Sequence, residues 1–278
     1  MAFPPITSAR FYPDAQEPQV PADVAVVINT VLRPSIVEAI ASVYDQNFKG
    51  RLQLAIGVDV AVGEYGMLEA ALEQRPDHVS ALVLTPPYST SIRHGGIHNP
   101  FDGGALRAIL SLMCNARHVA YLDDDNLWLP DHVRLLHDAV KDNAWAFSQR
   151  MLVDDQTGKD LGVDIWDSVG PDVAGTSPIG DFADPNCLLV NKSRVVTNFA
   201  HWAQTLYGNP GYTSDRRFFR AIVKLPHGRV DQATVRYMIR GDNILHRYIE
   251  SGTNDPETMA RIEKEFRADM ATRRAKGG

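Results

Sequence analysis

Two cysteines are all that the 278-residue chain contains, Cys114 and Cys187, and neither has a CxxC partner. Both lie in apolar stretches, so core thiols in a reducing compartment are expected and a disulfide is not. No apolar run reaches the length of a membrane-spanning helix, which leaves any membrane contact peripheral. Positive charge is in deficit: 28 lysines and arginines face 34 aspartates and glutamates, a net charge of −6. That balance speaks against a broad nucleic-acid surface. Residues 1–22 form a proline-rich stretch without the apolar core of a signal peptide, so an irregular arm and a cytoplasmic protein are expected. There is no internal repeat and no low-complexity tract.

What is present is ordinary globular material, 44% hydrophobic and 22% charged, enough for one large α/β domain. Val24 to Ile28 is a β-branched run of the kind buried on both faces of a sheet. Ser35 and Glu38 have capping-box spacing ahead of an apolar helical face running from Ile36 to Tyr44. Leu52–Val58 and Val79–Leu84 read as further strands, and Leu106, Ile109, Leu110 and Met113 as a helix leading into a strand that ends at Asp123. Strands alternating with helices imply a parallel, doubly wound sheet, whose ligands bind at the carboxyl ends of the strands.

The second half is less regular. Ala144–Val153 and Cys187–Val190 read as strands, separated by a Gly/Asp/Pro-rich stretch from Asp154 to Pro185 long enough to suggest a functional loop. Ser214 is expected to cap a helix with Asp215 in its first turn, and Asp255-Pro256 to open a last helix bearing Met259, Ile262, Phe266 and Met270.

The most informative feature is the run Asp123-Asp124-Asp125-Asn126 directly after a buried strand. Adjacent carboxylates repel, and at least one would have a raised pKa unless a cation neutralised them. A hard divalent cation with oxygen ligands does so, and Mg²⁺ sites of this kind commonly include substrate phosphates. A solvated acidic turn capping the next helix is the alternative.

The order of these features resembles the GT-A glycosyltransferases, in particular the large inverting family 2. The features are the loop Asn29-Thr30-Val31-Leu32-Arg33-Pro34, a capped helix, an acid (Asp59) after the second strand, the Arg93-His94-Gly95-Gly96 loop, and the aspartate cluster before Leu127-Trp128-Leu129-Pro130. The likeness covers residues 23–135 well and 184–245 loosely. It implies a nucleotide-sugar-binding half over residues 23–126, an acceptor-binding half over 127–250 and a C-terminal helix over 251–278. It also implies a divalent cation, Mn²⁺ or Mg²⁺, and a nucleotide-sugar donor, a UDP-sugar ahead of a GDP-sugar.

By the same resemblance, Thr30 and Arg33 touch the nucleotide and Asp59 accepts from the base. Asp123 faces the ribose and the metal, Asp125 ligates the metal, and Asp124 ligates or supports. Arg93 and His94 approach the diphosphate. The family's late acidic pair corresponds to Thr213-Ser214-Asp215-Arg216-Arg217, where a single acid remains, so Asp215 is the candidate base and Asp184 the second candidate. The family's late histidine is missing after Tyr237; either Arg240 replaces it as a phosphate contact or His246 reaches the metal. Trp166 and Trp202 are weaker candidates for sugar stacking, against core packing. Retaining transfer and a non-catalytic nucleotide- or carbohydrate-binding module stay open, as does oligomeric state, a homodimer included. A pyrophosphorylase ranks low because Asn29–Pro34 lacks glycine.

Overall fold

The computed structural model describes residues 9–12, 20–171, 181–205, 214–241, 243–253 and 255–276. Thr213, most of the proline-rich arm and residues 172–180 of the long loop lie outside these. The first half contains β1 (Ala9–Tyr12), β2 (Ala22–Thr30), α1 (Ile36–Tyr44), β3 (Leu52–Val58), α2 (Tyr65–Glu73), β4 (Val79–Leu84), α3 (Gly104–Met113) and β5 (Ala116–Tyr121). The second contains β6 (Leu127–Trp128), α4 (His132–Val140), β7 (Trp145–Asp154), β8 (Asp160–Val163), β9 (Leu188–Asn191), α5 (Lys192–Val195), α6 (Ser214–Ile222), β10 (His227–Ile239), α7 (Ile244–Ser251) and α8 (Pro256–Lys276).

One mixed sheet runs through the molecule in the order β1-β4-β3-β2-β5-β9-β7-β10-β6, with β8 paired to β7. The strands β4, β3, β2 and β5 are mutually parallel, as their alternation with helices implied. The second half is not a continuation of that pattern. β9 joins β5 and β7 antiparallel, and β7 and β10 are parallel to each other.

Period-two alternation explains why β2 is apolar throughout. Val24, Val26 and Ile28 face a core shared with Ile36, Ile40, Val43, Leu68 and Leu72 of α1 and α2. Ala25 and Val27 face the opposite core, with Leu110 of α3 and Phe218 and Ile222 of α6. A third, smaller core of Leu152, Trp166, Ile239, Leu245, Tyr248, Met259 and Ile262 fastens α7 and α8 to the second half.

Three local expectations are corrected. Ser35 makes no capping hydrogen bond and is itself helical in backbone (φ −58°, ψ −21°). The turn begins earlier, at Arg33 and Pro34, whose carbonyls accept from Ile36 and Val37, so the hydroxyl is in the wrong place to cap. Ser214 does not cap α6 either: it is the first residue of that helix and donates its hydroxyl to Asp102 at 2.6 Å. The arm is not irregular throughout, because Ala9–Tyr12 pairs antiparallel with β4 and covers that edge of the sheet. Within the long loop, Asp160–Val163 also pairs, as β8, with β7. The opening of the last helix is as read, with Asp255 accepting the Thr258 N–H at 2.9 Å.

The connections place the site. From β2 the chain steps to β3 and then β4 on one side, and returns through α3 to β5 on the other side of β2. The sheet therefore has a topological switch point between β2 and β5, where two successive loops diverge and leave a crevice at the strands' carboxyl ends. Thr30 and Asp123 stand at that crevice.

Candidate functional site

A cavity of about 790 Å³ opens there, and Thr30, Arg33, Asp59, Arg93, His94, Asp123, Asp124, Asp125, Asp184 and Asp215 all line it. Its volume suits a nucleotide-sized ligand. These residues come from six separate chain segments and were expected to meet.

The loop after β2 is built around Asp124, which is almost fully buried. Its carboxylate accepts from Thr30 Oγ1 at 2.7 Å and from Arg33 Nη1 at 3.1 Å. Burial raises its pKa, while the Thr30 hydroxyl and Arg33 pull it back down. Thr30 Oγ1 also accepts the Leu32 N–H at 2.8 Å, in support of a left-handed backbone at Leu32 (φ 63°) that a leucine rarely adopts. Asp124 is thus a supporting group that shapes the Thr30–Arg33 loop.

Asp125 lies toward solvent. Its Oδ2 accepts from Arg33 Nη1 at 2.7 Å and from Arg240 Nη2 at 2.6 Å. Burial and the neighbouring Asp123 raise its pKa, and the two arginines oppose them. Arg240 reaches the site because Asn126 Oδ1 accepts the Met238 N–H at 2.8 Å, pinning the end of β10 to the aspartate loop.

Asp123 is gripped from two sides. The Asn186 amide donates to its Oδ2 at 2.8 Å, and Asn186 Oδ1 accepts its backbone N–H at 2.7 Å. Arg107 Nη2 bonds its Oδ1. Arg107 is a buried cation on α3 that sequence reasoning passed over. Burial opposes its charge, yet Asp123, Asp102, Asp215 and Asp184 together hold its pKa above the ordinary value. The only sequence signal was one arginine inside the apolar face of Leu106 to Met113. Gly103, at φ 72°, and Gly104 let that helix start against Asn29 and Trp202, where a Cβ would meet atoms at 2.9 and 2.1 Å respectively. Asn186 and Asp102 were missed as well, since short polar loops carry no periodic signal.

The two acids considered for proton transfer sit differently. Asp184 is buried and saturated: it accepts from Arg150 Nη1 at 2.6 Å, Asn186 Nδ2 at 2.6 Å and the Asn186 N–H at 2.9 Å. Burial raises its pKa, with Arg150 opposing. Arg150 in turn binds Asp164 at 2.8 Å and Asp167 at 3.1 Å, and lies 3.9 Å from the Tyr237 ring centre. Asp215 has a single hydrogen bond among the described residues, from the Arg216 N–H at 2.6 Å. Burial pushes its pKa up to about 6, partly opposed by Arg216 and reinforced by Asp102 and Asp184.

Asp59 lines the far end, where it accepts from Ser89 Oγ and the Thr90 N–H, both at 2.9 Å, and so orders the loop after β4. Arg93 and His94 lie on a short exposed 3-10 turn, Arg93 some 6.0 Å from the Phe101 ring centre. His246 is not brought to the aspartates. It sits on α7 outside the cavity lining, on the side of Asp154, whose pKa is lowered chiefly by hydrogen bonds from Thr157 and only last by His246. Trp166 and Trp202 are packing residues: Trp166 donates to the Thr253 carbonyl at 2.9 Å in the third core, and Trp202 stacks on Phe218 beneath Arg107.

No group of three histidine, cysteine or acidic side chains that could hold a metal exists among the described residues. Asp123 and Asp125 supply hard oxygen donors, and Asp125 Oδ1 has no hydrogen-bond partner among the described residues. This donor set fits a cation that takes its other ligands from a diphosphate and water, not one caged by protein. Among the described residues no helix is long and apolar enough to cross a membrane.

No family model and no curated protein matches the chain in sequence. Solved structures are similar to it in three dimensions. S. aureus TarS 1–349 is 11% identical with a TM-score of 0.56, over 82% of this chain and 63% of that one. The same protein in complex with UDP-GlcNAc is 12% identical with a TM-score of 0.55, over 88% of this chain and 65% of that one. The mannosyltransferase PcManGT from Pyrobaculum calidifontis, in complex with GDP-Man and Mn²⁺, is 11% identical with a TM-score of 0.52, over 85% of this chain and 63% of that one. The chain thus spans less than two thirds of these neighbours' length. At such identity the likeness concerns architecture, and it is clear on that point: this chain has a GT-A-like glycosyltransferase fold.

Proposed function

We propose that the protein is an inverting, metal-dependent glycosyltransferase that moves a sugar from a nucleoside-diphosphate sugar to a hydroxyl acceptor. The observation that carries this reading is the meeting of the aspartate loop, the arginines and an acid of pKa about 6 in one cavity at the switch point. Neighbours of the same fold solved with UDP-GlcNAc and with GDP-Man and Mn²⁺ support the donor class, a UDP-sugar ahead of a GDP-sugar. In this reading residues 23–126 bind the donor, 127–250 shape the acceptor side and 251–278 form the C-terminal helix. Two free, buried cysteines accord with a cytoplasmic setting.

Asp59, Thr30 and Arg33 hold the nucleoside, and Arg33, Arg93 and Arg240 the diphosphate, to which guanidinium groups pair well. Asp123 and Asp125 would hold Mn²⁺ or Mg²⁺, which when bound supplies positive charge to the departing diphosphate. Asp215 Oδ2 takes the proton of the acceptor hydroxyl. The oxygen attacks the anomeric carbon from the opposite face, and the bond to the diphosphate oxygen breaks with its electron pair. A base of pKa about 6 is half ionised just below neutrality, which suits this task. Asp184, whose oxygens are committed to Arg150 and Asn186, positions the Asp123 loop.

The test is a thermal-shift panel of UDP, GDP and their sugars with Mn²⁺, Mg²⁺ or EDTA, followed by anomer analysis of the product. A metal-dependent rise in melting temperature with one nucleotide family, lost in Asp125→Ala, is the expected result. No shift with any of them would overturn the reading. Retention of anomeric configuration would overturn inversion alone, and donor binding without transfer would leave a binding module.

A further inference from the structure

The chain itself supplies the counter-charge of Asp125. Arg33 and Arg240 converge on a single oxygen, Oδ2, at 2.7 and 2.6 Å. A dication added to that carboxylate would stand within a few ångströms of two guanidinium groups, and like charges at such range repel strongly in a partly buried site. Asp125 is therefore a poor cation ligand while both arginines hold it.

The two arginines differ from the third cation of the cluster in what they can do. The Arg107 side chain is 7% exposed and is held between Asp123 and Asp102. Those of Arg33 and Arg240 are 44% and 55% exposed, and they stand at the cavity mouth on a loop and just beyond a strand end. Arg33 also has a second partner in Asp124 at 3.1 Å, so leaving Asp125 does not strand it. A diphosphate offers both groups several charged oxygens, which the planar guanidinium fork binds in bidentate fashion.

We infer that Arg33 and Arg240 act as exchangeable counter-ions: they keep a divalent cation off Asp125 until a nucleoside diphosphate draws them away, so cation and nucleotide bind cooperatively. The inference rests on the donor-site reading above and adds to it the source and sign of the coupling. Coupling is reciprocal, so each ligand must tighten the other by the same factor. Removing one arginine has opposite effects on the two ligands, which a merely structural residue would not produce.

The experiment uses the full chain. Mn²⁺ binding is followed by the electron paramagnetic resonance of the free ion, with and without UDP or GDP, after correction for Mn²⁺–nucleotide association in buffer. Nucleotide binding is followed by calorimetry with Mn²⁺ or with EDTA. The expected result is at least fivefold mutual tightening. In Arg240→Gln, and separately in Arg33→Gln, Mn²⁺ alone should bind at least threefold tighter, nucleotide alone more weakly, and the coupling factor should fall below that of the parent. Both positions are exposed, and a melting curve like that of the parent shows that the variants fold. Nucleotide and Mn²⁺ binding with a coupling factor within twofold of one would overturn this inference and leave the donor site standing. So would variants in which Mn²⁺ alone binds no tighter. Failure of every nucleotide to bind under any condition would overturn both.

Discussion

Asp215→Asn should slow the proposed sugar transfer and stabilise the fold, and the two effects should share one pH dependence. The Asp215 carboxylate lines the cavity and, among the described residues, accepts a single hydrogen bond, from the backbone of Arg216, which an asparagine Oδ1 can also accept. Its pKa rises from 3.8 to about 6 in the folded protein, chiefly through burial. Below pH 4 the acid is protonated in folded and unfolded chains alike and has no differential effect. Between about 4 and 6 the unfolded chain ionises first, so stability falls as pH rises, and above 6 the cost is complete. At about 1.4 kcal/mol per pH unit the gap amounts to roughly 3 kcal/mol. The carboxylate is partly open to the cavity, so a gain of about 1–3 kcal/mol, or roughly 2–10 °C in melting temperature, is expected at pH 8. The gain should shrink steadily toward pH 5. Transfer, read as nucleoside diphosphate release, should fall about 10²–10⁴-fold in the variant, and the parent's rate should rise with pH through about 6. A variant that melts no higher than the parent at pH 8, or whose gain does not depend on pH, would refute the account of Asp215 as an under-compensated buried acid. Undiminished transfer would refute its role as base.

Arg107→Met removes the cation that faces Asp123, Asp102, Asp215 and Asp184. Leaving those carboxylates uncompensated should cost about 3–5 kcal/mol in denaturant melts, with Arg107→Lys losing distinctly less. Thr30→Val keeps the shape but strips the Leu32 N–H and an Asp124 oxygen of their partner. A loss of about 2–4 kcal/mol is expected, with weaker nucleotide binding by calorimetry as the Arg33 loop relaxes. Arg150→Met leaves Asp164, Asp167 and Asp184 without their shared cation, and about 3–5 kcal/mol should be lost. That loss should be largest at neutral pH and smaller under mildly acidic conditions, where Asp184, whose pKa burial already raises, accepts a proton. Trp166→Phe removes an indole donor from the Thr253 carbonyl in the third core and should change stability without changing transfer kinetics.

Much of the first half of the chain was legible because its signals are local. Apolar runs at strand length and amphipathic helices alternate between Val24 and Asp125, with Asp59 after the second strand and Asp123 after the fourth, and parallel topology then forces those ends to one edge of the sheet. Capping at Ser35 and Ser214 was misread because the same residue type also serves in turns and in long-range bonds, and only the backbone conformation or the partner Asp102 decides between them. The antiparallel insertion of β9 between β5 and β7 was invisible, since a four-residue apolar segment says nothing about which strands flank it. His246 had the right chemistry for a metal and the wrong location, which a periodic pattern on α7 could not reveal.

By itself, then, the amino-acid sequence determined the fold class, the direction of the first four parallel strands and the identity of the carboxylates at their ends, because periodicity and side-chain chemistry are properties of neighbouring residues. Only the tertiary structure decided which arginine neutralises which aspartate, that Asp124 is buried while Asp125 is half-buried, and that Asp184 is consumed by Arg150 and Asn186 where Asp215 accepts, among the described residues, only from the Arg216 N–H. Those outcomes depend on distances and burial between segments up to 115 residues apart, which no local pattern encodes.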